Sequence, residues 1–201
     1  MISRNRANFN DLSKAIISPK IAKNGKNNQN SVAITPSPYI VTDLDNTLID
    51  TYCRTMLCLL LINRQDLINK QNPINGLTKQ EKQIFLKNFD LRFAELDTIN
   101  YNIVRKVSQL QKATQLPVLV LTGRNEHLLK EVTLEKIRVL NRYLIIQRFI
   151  MRKTFEISVC DFKVQQLEKE NIVPVYLFDD DIEVQKAIKK RFKNVKIQPI
   201  E

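Results

Sequence analysis

The segment from Tyr39 to Thr47 reads Tyr39-Ile-Val-Thr-Asp-Leu-Asp-Asn-Thr47, so two aspartates follow directly after a short apolar stretch. Residues 39–42 have the composition of a β-strand that ends where Asp43 begins. Carboxylates at the carboxyl end of a buried strand lie where open parallel sheets bind their ligands. The segment therefore predicts an α/β protein whose functional site lies at this edge of a sheet.

Two further apolar stretches also end in polar residues. Pro117 to Thr122 has no polar alternation, as expected for a parallel strand that is covered on both faces. Val173 to Phe178 runs into three consecutive aspartates. Weaker strands are predicted over 144–151 and 194–197, with helices over 100–115, 125–141, 161–171 and 181–192. This alternation is typical of βαβ units around a parallel sheet, with helices in the two outer layers.

The segment over residues 52–98 differs from the rest of the chain. Its two helical patterns, over 52–70 and 78–96, are separated by the breaker stretch Asn72-Pro-Ile-Asn-Gly76. Because it follows the first strand and precedes the second, we expect it to project from the carboxyl edge of the sheet. We interpret it as a small helical cap inserted in a domain that spans residues 39–201.

Three polar positions, Asp43, Thr122 and Asp179, follow immediately after predicted buried strands. Gathering carboxylates at one edge raises electrostatic repulsion unless a cation or substrate compensates for it. A hard ion such as Mg²⁺, bound by few carboxylates together with water and phosphate, suits such a set. The spacing therefore predicts a magnesium and phosphate site.

Four ordered motifs resemble those of the haloacid dehalogenase superfamily. Asp43-Leu-Asp-Asn-Thr47 resembles its DxDxT signature, and Thr122-Gly-Arg124 resembles the hydroxyl residue that ends the next strand. Lys163 is similar to the lysine of the third motif, and Asp179-Asp-Asp181 to the acidic fourth. The resemblance implies a three-layer Rossmann-like fold with a central parallel sheet, and it covers about residues 39–198.

The resemblance also implies a role for each acidic residue. Asp43 is expected to be the nucleophile that forms an aspartyl-phosphate. Asp45 is expected to act as general acid and base, with its backbone carbonyl on the metal. Asp43, Asp45, Asp179 and Asp180 form the implied Mg²⁺ set, Asp180 through water. Because dehalogenases lack the second acid, Asp45 favours a phosphatase, while a phosphomutase remains an alternative.

The remaining motif residues are expected to hold phosphate or to shape the site. The resemblance implies that Thr122, Gly123 and Lys163 bind the phosphoryl oxygens, with glycine allowing close approach of the main chain. Thr47 is expected to hydrogen-bond Asp45 or simply to cap a helix. Asp181 is interpreted as the cap of the helix that follows. Arg124 is a candidate for contacting substrate phosphate, a solvated helix-start arginine being the alternative.

A second resemblance concerns the substrate. The stretch from Leu144 to Arg152, the Asp161-Phe-Lys163 sequence and the aspartate run after Phe178 are similar to polynucleotide end-healing phosphatases and to Swiss-army-knife RNA-repair-like domains. The resemblance implies that Arg152 or Lys153 lies near the mouth of the site and contacts a nucleic-acid backbone. The alternative is a basic loop without such a contact. Nucleic-acid ends and small phosphate esters both remain candidate substrates.

The chain is strongly basic, with a net charge of +11. This charge favours a polyanionic partner, although a lysine- and asparagine-rich composition can also arise from an AT-rich genome. Residues 1–38 carry six basic residues and one acid, and their start resembles a mitochondrial presequence. We therefore expect a basic N-terminal extension and a mitochondrial location, with the cytoplasm as the alternative.

The basic arm and the basic C-terminal tail also suggest a different class of function. In this alternative the chain is a structural subunit of a large RNA-containing assembly, such as a mitochondrial ribosome, and contacts rRNA through these segments. The single histidine, His127, argues against histidine-based zinc chemistry, and the three cysteines show no CxxC pair. No apolar run approaches the roughly 20 residues that span a bilayer.

Overall fold

The computed structural model of the protein describes residues 36–68, 70 and 73–200. The strands among them are β1 Ser37–Thr42, β2 Ile49–Asp50, β3 Thr98–Ile99, β4 Val118–Asn125, β5 Ile146–Arg152, β6 Ile172–Phe178 and β7 Lys196–Ile197. The α-helices are α1 Tyr52–Leu61, α2 Lys79–Leu91, α3 Tyr101–Thr114, α4 Glu126–Leu140, α5 Val159–Lys169 and α6 Ile182–Arg191. These elements confirm the predicted α/β class.

Five strands form one parallel sheet in the order β5-β4-β1-β6-β7. The central strand β1 pairs with β4 through Ile40 and Val118, and with β6 through Thr42 and Phe178. The strands that flank β1 are therefore those that the sequence predicted to end in polar residues. Their carboxyl ends meet at one edge, as the sequence analysis required.

Helices cover both faces of the sheet and confirm the three-layer prediction. Alternate β1 residues face opposite layers: Ile40 belongs to the apolar core beneath α3 and α4, whereas Val41 belongs to the core beneath α5 and α6. Both side chains are fully or almost fully buried. Burying a strand on both faces explains why β1, β4 and β6 are almost continuously apolar.

The inserted segment forms a small cap with its own apolar core. Helices α1 and α2 enclose Cys58, Leu59, Leu67 and Phe85. Helix α2 begins with a complete capping box between Thr78 and Glu81. Both helices are shorter than predicted: left-handed backbone conformations at Asn63 and Phe93 mark the turns that follow them.

A two-stranded antiparallel ribbon joins the cap to the domain. It consists of β2 and β3, with Ile49 opposite Ile99, and was not predicted from the sequence. Each strand has only two residues, too few for a periodicity to be recognised. The ribbon closes the insertion at its two ends, so the cap leaves and rejoins the domain at one place.

The N-terminal extension was predicted over residues 1–38, and residues 1–35 of it lie outside the described residues. The docking and targeting roles predicted for this segment therefore stay predictions. Among the described residues, no helix combines the length and the apolar character that crossing a bilayer requires.

Candidate active site

The carboxyl ends of β1, β4 and β6 bring the predicted motif residues together. Asp43 follows β1, and its backbone N–H donates to the Phe178 carbonyl at 2.7 Å. Asp179 follows Phe178, and Thr122 lies near the end of β4. Adjacent parallel strands thus hold these residues at one edge because the backbone ladder fixes their register.

Lys163 links the two aspartates that follow β1 and β6. Its Nζ lies 2.8 Å from Asp43 Oδ1 and 2.7 Å from Asp179 Oδ2, and the lysine is almost fully buried. Helix α5 supplies this lysine from its second turn, and Ser158 caps the helix by accepting from the Asp161 N–H at 3.0 Å. Motifs that lie 120 residues apart in sequence therefore form one ion-paired cluster.

The carboxylates of Asp43, Asp179 and Asp180 lie close enough together to be candidate ligands of a divalent cation. One carboxylate oxygen from each lies within 4.8 Å of the other two. Oxygens around an octahedral Mg²⁺ at about 2.1 Å are separated by roughly 3–4 Å, so this group fits the ion with small side-chain movements. We refer to Asp43, Lys163, Asp179 and Asp180 as the acidic cluster.

The ionisation of the acidic cluster reflects its crowding. Burial raises the pKa of Asp43 to about 7, with the charges of Asp179 and Asp45 adding to the effect and Lys163 opposing it. Burial, and then the charge of Asp43, raises the pKa of Asp180 to about 6. Burial would lower the pKa of Lys163, but the two aspartates raise it overall, so the lysine stays protonated.

The loop after β6 fixes Asp179 in place. Its Oδ1 accepts from the Asp181 N–H at 3.0 Å, and its backbone carbonyl accepts from Gln185 Nε2 at 2.6 Å. Asp181 in turn caps α6 by accepting from the Glu183 N–H at 2.9 Å, which confirms its predicted role. The start of α6 therefore orients the carboxylate that Lys163 contacts.

The side chain of Asp45 points away from the acidic cluster, which leaves the predicted metal contact of its backbone carbonyl untested. Arg124 Nε donates to both of its carboxylate oxygens at 3.0 Å, and Arg54 Nη2 donates to Oδ1 at 2.6 Å. Its side chain therefore points to the arginines and is not part of the acidic cluster. Only its backbone carbonyl is left for the implied metal contact, which stays a prediction.

A fourth residue completes this set. The carboxylate of Asp97 pairs with Arg54 Nε at 3.1 Å and with Arg124 Nη2. Asp97, Arg54 and Arg124 are all buried, whereas 23% of the Asp45 side chain is exposed. We refer to Asp45, Arg54, Asp97 and Arg124 as the arginine ring, in which positive and negative groups alternate.

The arginine ring determines the charge of Asp45. Burial alone would raise the pKa of this carboxyl group, but the charges and hydrogen bonds of Arg124 and Arg54 outweigh burial and lower it. Asp97 has fewer compensating contacts, and burial raises its pKa overall. Asp45 is consequently held as a carboxylate whose direction is fixed by two guanidinium groups.

The phosphate-binding candidates are close to both groups. Thr122 is fully buried, and its Oγ1 accepts from the Arg124 N–H at 3.2 Å, which leaves its O–H free to donate. Gly123 packs so closely on α5 that a Cβ atom there would lie 3.2 Å from Val159 Cγ1. A side chain at this position would therefore crowd α5, and phosphate binding by these residues stays a prediction.

Arg124 and Arg152 were the candidates for contacting substrate. The guanidinium of Arg124 is occupied by the ring and by Thr133 Oγ1 at 3.2 Å, and it is not the solvated side chain of the alternative interpretation. Arg152 donates to the carbonyls of Thr154 and Ile157. Both arginines therefore bind groups of this chain, and a contact with substrate stays a prediction for each.

Two expectations need correction or addition. Thr47 is buried, but its Oγ1 has no hydrogen-bond partner among the described residues, so the expected bond to Asp45 is absent because the arginines take that carboxylate. Arg54 and Asp97 were missed entirely. A signal for Arg54 was available: it shares a helix face with Cys58, four residues later, and a charge on an apolar face requires a partner.

Comparisons with known proteins bear on the fold of this chain. No family model matches the sequence, and no curated protein does either. Solved structures do match. A haloacid dehalogenase-like hydrolase from Streptococcus pneumoniae has a TM-score of 0.55 at 13% identity, over 80% of this chain and 82% of that one.

Two further matches extend the comparison. A hydrolase of the same superfamily from Ehrlichia chaffeensis gives a TM-score of 0.51 at 14% identity, with 82% and 88% of the two chains covered. A chain of the Pnkp1/Rnl/Hen1 complex gives a TM-score of 0.50 at 20% identity. That match covers 84% of this chain and 47% of the other, so this chain spans about half the length of that protein.

The sheet order, the site at the carboxyl edge and these structural matches define an α/β protein with a cap over its strand ends. The chain has the Rossmann-like fold of the haloacid dehalogenase superfamily, as the motifs predicted.

Proposed function

We propose that the protein is a Mg²⁺-dependent phosphatase that acts through an aspartyl-phosphate on Asp43. The observation that carries this proposal is the acidic cluster, in which three carboxylate oxygens lie within 4.8 Å of one another beside Lys163. Such a surplus of negative charge is unfavourable unless the site binds a cation. Asp43, Asp179 and Asp180 would hold the Mg²⁺, which when bound neutralises charge on the phosphoryl oxygens.

In the first step, a carboxylate oxygen of Asp43 attacks phosphorus and the bond from phosphorus to the leaving oxygen breaks. Asp45 donates a proton to that oxygen. In the second step, Asp45 takes a proton from water, the water oxygen attacks phosphorus, and the bond to Asp43 breaks to release inorganic phosphate. Lys163 and Thr122 contact the phosphoryl oxygens in both steps.

The arginine ring affects the two steps unequally. Because Arg124 and Arg54 favour the carboxylate form of Asp45, they keep it in the form that accepts a proton from water, although a lowered pKa also makes it a weaker base. The same contacts disfavour the protonated form that the first step needs. The proton transfer to the leaving oxygen is therefore the step at which we expect the chemistry of the substrate to matter most.

The substrate that we propose is a phosphate at a polynucleotide end, with small phosphate esters as alternative substrates. The net charge of +11 and the end-healing sequence pattern support this proposal. The basic C-terminal tail supports it less than expected. Lys186 and Arg191 pair with glutamates of this chain, and Lys189 donates to the Val195 carbonyl.

The alternative function, a structural subunit of an RNA-containing assembly, stays a prediction. It depended mainly on residues 1–38, of which 1–35 lie outside the described residues. The mitochondrial location depended on the same segment. No contact among the described residues favours either, so neither is proposed here.

The experiment compares hydrolysis of glycerol phosphate and of a 3′-phosphorylated oligonucleotide with Mg²⁺ and with EDTA. We expect hydrolysis with Mg²⁺ only, and a loss of about 10⁶-fold in kcat for Asp43→Asn, as when other enzymes lose a nucleophile. Glu135→Gln, which removes an exposed carboxylate on α4, is the matched control and should keep full activity. Equal rates for Asp43→Asn and the unmodified protein would refute the proposal.

A further inference from the structure

The loop between β5 and α5, residues 153–158, lies beside the catalytic edge at both of its ends. At its start, Arg152 of β5 pairs in register with Asn125, whose Nδ2 donates to the Lys153 carbonyl at 3.3 Å. At its end, Val159 packs against Gly123, and α5 continues to Lys163. The loop therefore borders the proposed phosphate site without contributing to the acidic cluster.

Arg152 gives this loop a fixed shape. Its Nε donates to the Thr154 carbonyl at 2.8 Å and its Nη2 to the Ile157 carbonyl at 2.5 Å. Its guanidinium carbon lies 5.1 Å from the centre of the Phe155 ring. Arg152 is 8% exposed, and burying a guanidinium is favourable only when its donors are satisfied in this way.

The side chains that the loop presents suit a nucleotide. Phe155 is 54% exposed, so much of its ring surface is open although Arg152 lies close to it. Lys153 is exposed and also lines an open cleft of about 670 Å³ along the first turns of α4.

The composition of the cleft limits what it can bind. Lys130 and Lys153 supply positive charge, while Glu126 and Glu131 offset it. Lys130 is already paired with Glu126 at 3.0 Å, which leaves Lys153 as the cation nearest the loop. The cleft therefore lacks a long cationic surface that could follow a nucleic-acid backbone, and its charge suits a single phosphate near Lys153.

We propose that Phe155 and Lys153 form a binding site for single-stranded nucleic acid, in which a base next to the reacting end stacks on Phe155 and its phosphate contacts Lys153. The inference rests on the proposed function, because it concerns the substrate of the same catalytic edge. Stacking on an aromatic side chain accepts any base, so we expect little sequence preference.

The test measures two quantities for each variant. The first is the ratio of kcat/KM for a 3′-phosphorylated oligonucleotide to that for glycerol phosphate, which has no base. The second is the Kd of a fluorescent oligonucleotide for protein that also carries Asp43→Asn, with DNA and RNA in separate arms. The variants are Phe155→Ala, Phe155→Leu, Phe155→Trp and, as a remote exposed aromatic, Tyr143→Ala.

We expect Phe155→Ala and Phe155→Leu to lower the ratio and weaken oligonucleotide binding by about 5- to 100-fold. Phe155→Trp should keep the kcat/KM ratio and the oligonucleotide Kd, since tryptophan can still stack on a base. Tyr143→Ala should change neither quantity. An equal loss with both substrates would overturn the proposal, because it would show that Phe155 only shapes the active site. Unchanged values for Phe155→Ala would overturn it as well.

The failure of the underlying function gives a different result. If no substrate is hydrolysed with Mg²⁺ but Phe155→Ala still weakens oligonucleotide binding, the binding site is supported and the phosphatase proposal fails. If glycerol phosphate is hydrolysed and no oligonucleotide binds, the phosphatase proposal stands and the nucleic-acid site is overturned.

Discussion

The acidic cluster and the arginine ring lie side by side and differ in their charge balance. Three carboxylates and the ammonium of Lys163 leave the acidic cluster with a formal charge of −2. Two carboxylates and two guanidinium groups make the ring neutral. The acidic cluster therefore needs a bound cation to balance its charge, whereas the charges of the arginine ring already balance one another. Asp43 belongs to the acidic cluster and Asp45 to the arginine ring, so the proposed nucleophile and the proposed proton-transfer group lie in different electrostatic surroundings.

The largest effect should come from removing a charge from the acidic cluster. Asp179→Asn should lower kcat/KM by about 10³-fold, or about 4 kcal/mol, because the phosphoryl group loses electrostatic stabilisation. It should also abolish the rise in Tm that Mg²⁺ produces in the unmodified protein. That rise corresponds to about 2.7 kcal/mol when the ion is present at 100 times its Kd.

Glu135→Gln is the control for Asp179→Asn, since it removes an exposed carboxylate on α4. It should keep both the activity and the response of Tm to Mg²⁺. A normal Mg²⁺ response in Asp179→Asn would mean that the ion binds elsewhere, and the contrast between the two groups would then lose its basis.

Substitutions in the arginine ring should lower the stability of the protein and leave Mg²⁺ binding unchanged. Asp97→Asn should lower the free energy of unfolding by about 3 kcal/mol, because it leaves two buried arginines facing one carboxylate. Chemical denaturation measures this value. The loss should be smaller when Arg54→Met is also present, since the double variant restores the charge balance.

If the losses in unfolding free energy from Asp97→Asn and Arg54→Met simply add in the double variant, the residues of the arginine ring do not act as a unit. Helix α1 also packs through the Arg54 side chain, which lies 3.8 Å over the Phe89 ring, so the single variant Arg54→Met must be measured as well. The Tm rise with Mg²⁺ should persist in all three variants, in contrast to Asp179→Asn.

The difference between the two groups also explains what the sequence could reveal. Asp43, Thr122 and Asp179 each follow a recognisable apolar strand, so their meeting at one edge could be predicted from parallel pairing. Lys163 was placed by motif resemblance. Arg54 and Asp97 come from the two ends of the cap insertion, and no periodicity relates residues 43 positions apart. Their meeting depends on the β2–β3 ribbon, whose strands are too short to predict.

A smaller effect should separate the two chemical steps. Asp45→Asn removes the proton donor, which matters more for a poor leaving group than for a good one. We expect a loss in kcat/KM that is about 10–100 times greater for glycerol phosphate than for p-nitrophenyl phosphate. Steady-state kinetics on both esters measures this ratio. Equal losses would indicate that Asp45 acts in orientation or in the second step alone.

The pH dependence of Mg²⁺ affinity tests the acidic cluster further. The pKa of Asp43 is raised to about 7 by burial, so protons compete with the metal below that pH. Affinity should therefore increase with pH, by up to about tenfold per unit between pH 6 and 7 and more steeply below pH 6, where Asp180 also binds a proton, and level off above pH 7. Calorimetric titration at several pH values measures the slope, which should be shallower in Asp43→Asn. A flat profile in the unmodified protein would contradict the raised pKa.

The smallest effect concerns Gly123, which lies between Thr122 and the ring residue Arg124. In Gly123→Ala the new Cβ would lie 3.2 and 3.3 Å from the two methyl carbons of Val159, so α5 must shift by a few tenths of an ångström. We expect a loss of about 1 kcal/mol in unfolding free energy, measured by urea denaturation. Val159→Ala removes those methyl groups, so adding Gly123→Ala to that variant should cause no further loss. If Gly123→Ala destabilises both backgrounds equally, contact with α5 is not the reason for glycine at this position, and its role lies instead at the phosphate site.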